Sequence, residues 1–146
     1  MQDPASAAGR EEAAGGDSPA ALADLLTRFG KAYFKADAVQ LALCVTADFE
    51  WRQHEGPGVQ GAVIRGAEAV CAEVLRRKAQ WREVRYSDFE NHFAPGLIVS
   101  TFEVAGIDES GAEFRVRAVD LYPVREGRIA RKDSFWKYDR AALRGA

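Results

Sequence analysis

Residues 119–137, VDLYPVREGRIARKDSFWK, decide the predicted fold because they describe two β-strands joined by a turn. Apolar and polar residues alternate on both sides of Glu126-Gly127, as in a half-buried antiparallel pair. A two-residue turn fixes the register of its strands, so Arg125 should lie opposite Arg128. Continuing this register predicts four further pairs: Val124 with Ile129, Tyr122 with Arg131, Asp120 with Asp133, and Ala118 with Phe135.

One face of this predicted hairpin carries polar side chains between apolar ends. The central residues are Asp120, Tyr122, Arg131 and Asp133, and the flanking ones are Val116, Ala118, Val124, Ile129 and Phe135. Burying such polar groups without partners is costly, so the simplest account is a hydrated or ligand-filled pocket that they line. Two other interpretations stay open: an internal network with satisfied hydrogen bonds, and a face that points to solvent.

The two aspartates are predicted catalytic carboxylates. Directly opposed side chains on neighbouring strands have Cβ atoms about 5 Å apart, and two like charges this close in a dry site are costly. Either one aspartate is protonated or Arg131 neutralises the pair. In the first case, one carboxylate is a general base, while the protonated one and Tyr122 donate hydrogen bonds to a developing oxyanion.

Four other residues are candidates for the pocket lining. Phe49 and Trp51 alternate with polar residues and would form an apolar wall, although this spacing also suits an ordinary core. His54 precedes the loop at residues 55–58 and is suited to proton transfer, unless it is a solvated loop side chain. The face on which Glu103 lies depends on the length of the turn at residues 108–111. If the alternation of the hairpin continues through this turn, Glu103 lies on the pocket face, whereas a three-residue turn presents Phe102 and Val104 there instead.

The remaining sequence predicts an α+β domain. Ser18 and Pro19 begin a helix that runs to about Lys35, Asp37 caps a short second helix, and Gly66 opens a third. Period-2 runs predict antiparallel strands at residues 83–93, 96–106, 113–124 and 128–138. Helices followed by hairpin-linked strands favour a sheet that helices cover on one face.

We predict a tail at residues 1–17, a single domain at 18–140 and a second tail at 141–146. Residues 1–17 contain no large apolar side chain apart from the initial methionine, so they cannot bury enough surface to offset the entropy of ordering. The basic run of Arg76, Arg77 and Lys78 is predicted to be the solvated last turn of the third helix, where it complements the helix dipole.

Composition excludes several classes of protein. The 146 residues carry a formal net charge of -2, so no basic field is present to gather nucleic acid. No stretch has the ~18 apolar residues of a membrane helix, and we expect a cytoplasmic protein without membrane contact. Cys44 and Cys71 are expected to be buried free thiols. Metal-ligand and phosphate-loop motifs are missing, so we expect no metal and no cofactor.

Three segments carry a resemblance to a known family: residues 29–52, 64–75 and 119–137. They read FGKAYFKADAVQLALCVTADFEWR, IRGAEAVCAEVL and VDLYPVREGRIARKDSFWK. The order of elements resembles the nuclear transport factor 2-like superfamily, and within it the SnoaL-like group of polyketide cyclases and ketosteroid isomerase-like proteins. The resemblance implies a cone-shaped fold, with three N-terminal helices on a strongly bent antiparallel sheet and a ligand pocket at the open end.

Within this superfamily, limonene epoxide hydrolase can be compared residue by residue. Asp133 in RKDSF matches its final acidic residue, but Thr101 stands where an arginine should orient both carboxylates, with Glu103 near the second acid. This departure argues against epoxide hydrolysis. Ketosteroid isomerase-like chemistry requires a carboxylate as general base, and a tyrosine and a protonated acid as hydrogen-bond donors to the oxyanion, which is a standard example of pKa tuning. Asp120, Asp133 and Tyr122 are residues of these types.

Two functional hypotheses follow. The first is an apolar pocket for a neutral or weakly polar organic ligand, with cofactor-independent acid/base catalysis of isomerase, cyclase or hydrolase type. The second is a non-catalytic ligand-binding or interaction module that forms a homodimer. By resemblance, the dimer would use the outer sheet face, with Val119, Leu121, Pro123 and Trp136 at its apolar centre.

Overall fold

The computed structural model describes residues 16–139, which form three helices and six strands. The helices are α1 (Pro19–Lys35), α2 (Ala38–Cys44) and α3 (Ala67–Gln80). The strands are β1 (Val45–Arg52), β2 (Val63–Arg65), β3 (Glu83–Ala94), β4 (Leu97–Ile107), β5 (Glu113–Arg125) and β6 (Arg128–Trp136). Residues 1–15 and 140–146 lie outside the described range, and with them most of the first predicted tail and all of the second. Asp17, predicted to belong to the first tail, accepts a hydrogen bond from the Gly96 amide at 2.7 Å.

Local capping chemistry sets the helix starts where the sequence predicts them. The Ser18 hydroxyl accepts a hydrogen bond from the Ala21 amide, directly before the proline that opens α1. Asp37 accepts one from the Gln40 amide at the start of α2. The predicted starts of all three helices are confirmed.

The sheet has the strand order β2-β1-β6-β5-β4-β3. All neighbouring strands pair antiparallel except β1 and β6, which are parallel. The predicted α+β architecture, with helices packed against the sheet, is confirmed. The parallel contact and the short strand β2 are additions to it, because neither has a local sequence signal.

The main core lies between the helices and the inner face of the sheet. Its largest fully buried side chains include Trp51, Phe29 and Phe49. Cys44 and Cys71 belong to the same cluster as buried free thiols, as predicted. A second cluster, formed by Phe102, Val104, Val116 and Ala118, lies toward the other end of β4 and β5.

The hairpin between β5 and β6 begins as predicted and then departs from its register. Glu126 and Gly127 adopt the positive φ angles of a two-residue turn, at 53° and 72°, and Arg125 lies opposite Arg128. Beyond Val124 and Ile129, β6 contains one extra residue, so Leu121 pairs with Asp133. A bulge of this kind moves all later side chains of its strand to the opposite face.

The bulge makes three predicted pairs wrong. Asp120 lies opposite Ser134 instead of Asp133, and Ala118 lies opposite Trp136 instead of Phe135. Tyr122 and Arg131 fall within the irregular stretch and are not paired in register. The inner face of β6 therefore presents Lys132, Ser134 and Trp136, which the sequence prediction had placed outside.

Glu103 also lies on the outer face. Ile107 pairs with Glu113, so five residues connect β4 to β5, and this odd number turns Phe102 and Val104 inward. Glu103 instead accepts a hydrogen bond from Arg115 at 3.0 Å. The alternative with Phe102 and Val104 inside was the correct one.

No helix among residues 16–139 combines the length and apolar composition that crossing a bilayer requires.

His54 follows β1 and is buried against β6. Its ring stacks on Trp136 with 3.6 Å between centroids, and only 1% of its side chain is exposed. Burial is the main cause that lowers the pKa of His54 from 6.5 to about 3, and the positive charges of Arg77 and Lys132 contribute the rest of this shift. The imidazole is therefore neutral near pH 7. Because the side chain is buried, His54 is not a solvated loop residue.

This burial predicts a specific loss of stability in mild acid. Between about pH 6.5 and pH 3, the unfolded chain binds a proton at His54 that the folded chain does not, so the free energy of unfolding falls as the pH falls. From about pH 7.5 to about pH 5.5, wild type should lose about 1.4 kcal/mol more than His54→Gln in urea titrations. His92→Gln is the matched control because the His92 side chain is exposed on β3, and it should lose as much as wild type. An equal slope in wild type and His54→Gln would contradict the assignment.

Candidate functional site

A cavity of about 320 Å³ opens between α1 and the inner face of the sheet. This volume lies at the lower end of the range for small-molecule sites. Ten of its 22 lining residues are phenylalanine, tyrosine or tryptophan: Phe29, Tyr33, Phe34, Trp51, Tyr86, Phe89, Phe93, Phe102, Tyr122 and Trp136. Walls of this kind accommodate a flat organic molecule.

Four buried polar side chains from β5 and β6 meet at this cavity, and we call them the Asp120 cluster: Asp120, Tyr122, Lys132 and Ser134. Lys132 Nζ lies 2.6 Å from Asp120 Oδ2 and donates a second hydrogen bond to the Tyr122 hydroxyl at 3.1 Å. The Tyr122 hydroxyl donates to Asp120 Oδ2 at 3.1 Å. The cluster therefore places an ammonium group, a phenol and a carboxylate in mutual contact.

Ser134 connects the cluster to the aromatic wall. Its hydroxyl donates to Asp120 Oδ1 at 2.7 Å and accepts a hydrogen bond from Trp51 Nε1 at 3.1 Å. Both carboxylate oxygens of Asp120 thus accept hydrogen bonds from fixed donors. This arrangement fixes the orientation of the carboxylate relative to the cavity.

Lys132 is held among aromatic rings. Its Nζ lies 4.8 Å from the ring centroid of Tyr33, 5.2 Å from that of Tyr122 and 5.9 Å from that of Trp51. An ammonium group over ring faces is attracted by their quadrupoles, most strongly where water is excluded. Because the group has three N–H bonds and two of them are used within the cluster, the third remains for a ligand.

The phenols around the cluster stay protonated near neutral pH. Burial raises the pKa of Tyr122 well above its ordinary value, and the charge of Asp120 raises it further. Burial likewise raises the pKa of Tyr33 and of Tyr86. These hydroxyls therefore act as hydrogen-bond donors rather than as phenolates.

Four of the predicted site residues line the cavity: Asp120, Tyr122, Trp51 and His54. Two others are buried but do not line it. Phe49 lies in the core, where its ring packs edge-on against Phe29 at 6.0 Å, and Ala118 belongs to the second core cluster.

The other four predicted residues point away from the cavity. The bulge turns Arg131, Asp133 and Phe135 to the outer face of β6, and Glu103 lies outward on β4. Arg131 Nε lies 3.7 Å from Asp133 Oδ2, and Phe135 is 51% exposed. The predicted pair of facing carboxylates is therefore wrong, and with it the protonated aspartate. The buried partner of Asp120 is a lysine.

Sequence reasoning missed Lys132, Ser134 and Arg77. A buried carboxylate requires a partner, and only a shifted register turns Lys132 to the face of Asp120, so that requirement was the available signal. Arg77 was predicted to be solvated with its neighbours. Instead its guanidinium carbon lies 4.7 Å from the ring centroid of Trp51 and 5.1 Å from that of Trp81, beside the cavity.

Among residues 16–139, no three His, Cys, Asp or Glu side chains come together in a way that could hold a metal ion.

Solved structures share this fold. An NTF2-like protein from Burkholderia xenovorans matches 90% of this chain and 98% of its own, with a TM-score of 0.73 at 20% identity. A proposed polyketide cyclase from Xanthomonas campestris matches 84% of this chain and 93% of its own, with a TM-score of 0.64 at 16% identity. A proposed isomerase from Bacillus subtilis matches 86% of this chain and 94% of its own, with a TM-score of 0.61 at 16% identity.

No curated protein sequence matches the chain. The sequence model that describes the SnoaL-like domain matches residues 26–132, which covers most of the chain and includes Asp120, Tyr122 and Lys132. The chain therefore belongs to the SnoaL-like domain family, within the NTF2-like fold.

Proposed function

We propose that this SnoaL-like chain binds a small aromatic or polycyclic carbonyl compound and catalyses acid/base chemistry on it without a cofactor. The observation that carries this proposal is the contact between Asp120 and Lys132, 2.6 Å apart in a cavity with aromatic walls. A carboxylate beside an ammonium group and a phenol supplies both a base and donors for a developing oxyanion.

Asp120 is the proposed general base. A substrate carbonyl oxygen accepts the third N–H of Lys132 and lies near the Tyr122 hydroxyl. Asp120 removes a proton from the adjacent carbon, the C–H electron pair forms the enolate, and Lys132 stabilises the charge on oxygen. The Tyr122 hydroxyl, which donates to Asp120 Oδ2 in the free chain, turns its single O–H to the enolate oxygen once the carboxyl group is protonated. The enolate then takes the proton back from Asp120 at a conjugated carbon, which is an isomerisation, or attacks a second carbonyl of the same molecule, whose oxygen takes the proton from Asp120, which is a cyclisation.

The cluster also explains how a paired carboxylate can act as a base. When the substrate oxygen accepts a hydrogen bond from Lys132, the ammonium charge is shared between the enolate and Asp120. Lys132 then stabilises the ionised carboxylate less, so Asp120 accepts a proton more readily. Trp51 and Ser134 keep Asp120 in place while this happens. The names of two similar structures, a proposed polyketide cyclase and a proposed isomerase, agree with chemistry on an organic molecule.

Proton exchange at carbon tests this proposal directly. In D₂O, wild type should accelerate deuterium incorporation at the α-carbons of 2-tetralone, a bicyclic aromatic ketone, as followed by ¹H NMR. Asp120→Asn should lower the enzymatic rate by about 100-fold or more, because the base is lost. Asp133→Asn is the matched control, because its carboxyl group lies on the outer face, and should stay within about twofold of wild type.

Tyr122→Phe guards against a folding artefact, because Asp120→Asn leaves Lys132 buried with a weaker partner. Removing one hydroxyl should keep the fold, as judged by circular dichroism, and lower exchange by about tenfold to 100-fold. The proposal is wrong if wild type does not exceed the buffer rate, or if Asp133→Asn loses as much as Asp120→Asn.

We further propose that two copies of the chain pair through the outer sheet face. The half-buried Val119, Leu121 and Pro123 of β5 lie on this face, and Phe135 lies beside Val119, half exposed. The exposed Arg115 and Arg117 would form part of the rim. Such a pairing would cover apolar surface that the three helices leave open.

Sedimentation velocity at low micromolar concentration tests the pairing. Wild type should sediment as a dimer and Phe135→Asp as a monomer, because a carboxylate would be buried in the apolar contact. Val59→Asp changes a fully exposed apolar residue in the loop after β1 and should stay dimeric. A monomeric wild type would rule out this interface.

A further inference from the structure

The charges that line the cavity are unbalanced. Three cationic side chains line it: Lys31, Arg77 and Lys132. Among the described lining residues, Asp120 supplies the single carboxylate. Because Lys132 already pairs with Asp120, the positive charge of Arg77 has no counterpart in the cavity wall. His54 adds none, since it is neutral near pH 7.

Arg77 is held in place without a carboxylate partner. Its guanidinium group lies within about 5 Å of the rings of Trp51 and Trp81, which fixes its plane. The Nε atom is buried and finds no hydrogen-bond acceptor among residues 16–139. A buried guanidinium donor without an acceptor is costly, and a ligand anion would remove that cost.

The neighbours of Arg77 show that its position is not a general property of the last turn of α3. Arg76 pairs on the surface with Glu73, and Lys78 donates to the carbonyl oxygen of Phe34. Only Arg77 of these three lines the cavity. Its inward position is thus separate from the interaction of basic residues with the helix dipole.

A second unpartnered polar group lies in the same cavity wall. His54 Nδ1 is buried without a hydrogen-bond partner among the described residues, and the side chain is 1% exposed. With its proton on Nδ1, the neutral imidazole would donate to an anion held by Arg77. The two groups lie beside neighbouring rings: the guanidinium carbon of Arg77 is 5.1 Å from the ring centroid of Trp81, which is 6.0 Å from that of Trp136, on which His54 stacks.

We infer that the ligand is an organic anion, a flat oxo-carboxylate whose carboxylate binds Arg77 while its carbonyl oxygen meets Lys132 and Tyr122. This inference rests on the proposed function and differs from the sequence-based prediction of a neutral or weakly polar ligand. Both cations lie within 6 Å of the ring centroid of Trp51 and line the same cavity, so one small molecule in that cavity can reach both. A planar carboxylate also suits the two-donor geometry of a guanidinium group.

Paired probes of equal shape test this assignment by isothermal titration calorimetry. 2-Naphthoate carries the carboxylate, and 2-naphthamide is its neutral counterpart. Wild type should bind the carboxylate at least tenfold more tightly than the amide. Arg77→Met keeps much of the aliphatic stem and removes the charge, so it should bring the two affinities within about twofold, chiefly by weakening the carboxylate.

Two further variants make the test decisive. Arg76→Met removes a neighbouring charge outside the cavity and should keep the wild-type preference, which excludes a general electrostatic effect. Arg77→Lys restores the charge without the planar fork and should recover part of the preference, which excludes misfolding as the cause of the loss.

The possible outcomes separate this inference from the proposed function. If wild type binds the amide as well as the carboxylate, or if Arg77→Met keeps the preference, the anion site is wrong while a pocket for aromatic ligands stands. If neither naphthalene compound binds, the proposed ligand pocket fails and the anion site fails with it.

Discussion

One buried carboxylate, Asp120, constrains this structure. Its side chain is almost completely buried, and an unpaired charge at that position would be costly. Strand β6 supplies the partners that the Asp120 carboxylate needs, because its extra residue turns Lys132 and Ser134 inward. Without that residue, Asp133 would lie opposite Asp120 and two acids would share a dry site. The bulge thus decides both the local stability and the chemistry of the cavity.

We propose that the Asp120 cluster serves a ligand more than it serves stability. Well-packed apolar residues commonly stabilise a core as much as a buried ion pair does, or more. Here the ion pair lies beside a cavity, among aromatic rings and near two polar groups that have no hydrogen-bond partner among residues 16–139. Polar groups placed in this way are typical of a site whose partners arrive with the ligand. Arg77 at one side and Lys132 at the other would then set its orientation.

The sequence predicted the features that depend on neighbours along the chain. Ser18, Asp37 and Gly66 mark helix starts through local backbone chemistry, and Glu126-Gly127 marks its turn through the φ angles it requires. The face of a residue farther from the turn depends on every residue between, so one insertion in β6 was enough to exchange Asp133 for Ser134 opposite Asp120. The inward position of Arg77 depends on Trp51, which is distant in sequence. The helical spacing of Arg77 from Val70 and Val74 does place it on the buried face of α3, and that spacing was the available signal.

A double-mutant cycle on the free energy of unfolding tests the central claim most directly, using Asp120→Asn, Lys132→Met and the double variant. The account predicts that the double variant is more stable than the sum of the two single effects implies, with a coupling of at least about 1 kcal/mol. The same cycle with Asp133→Asn in place of Asp120→Asn should give a coupling near zero. A coupling of zero between Asp120 and Lys132, or an equal one for Asp133, would contradict the account.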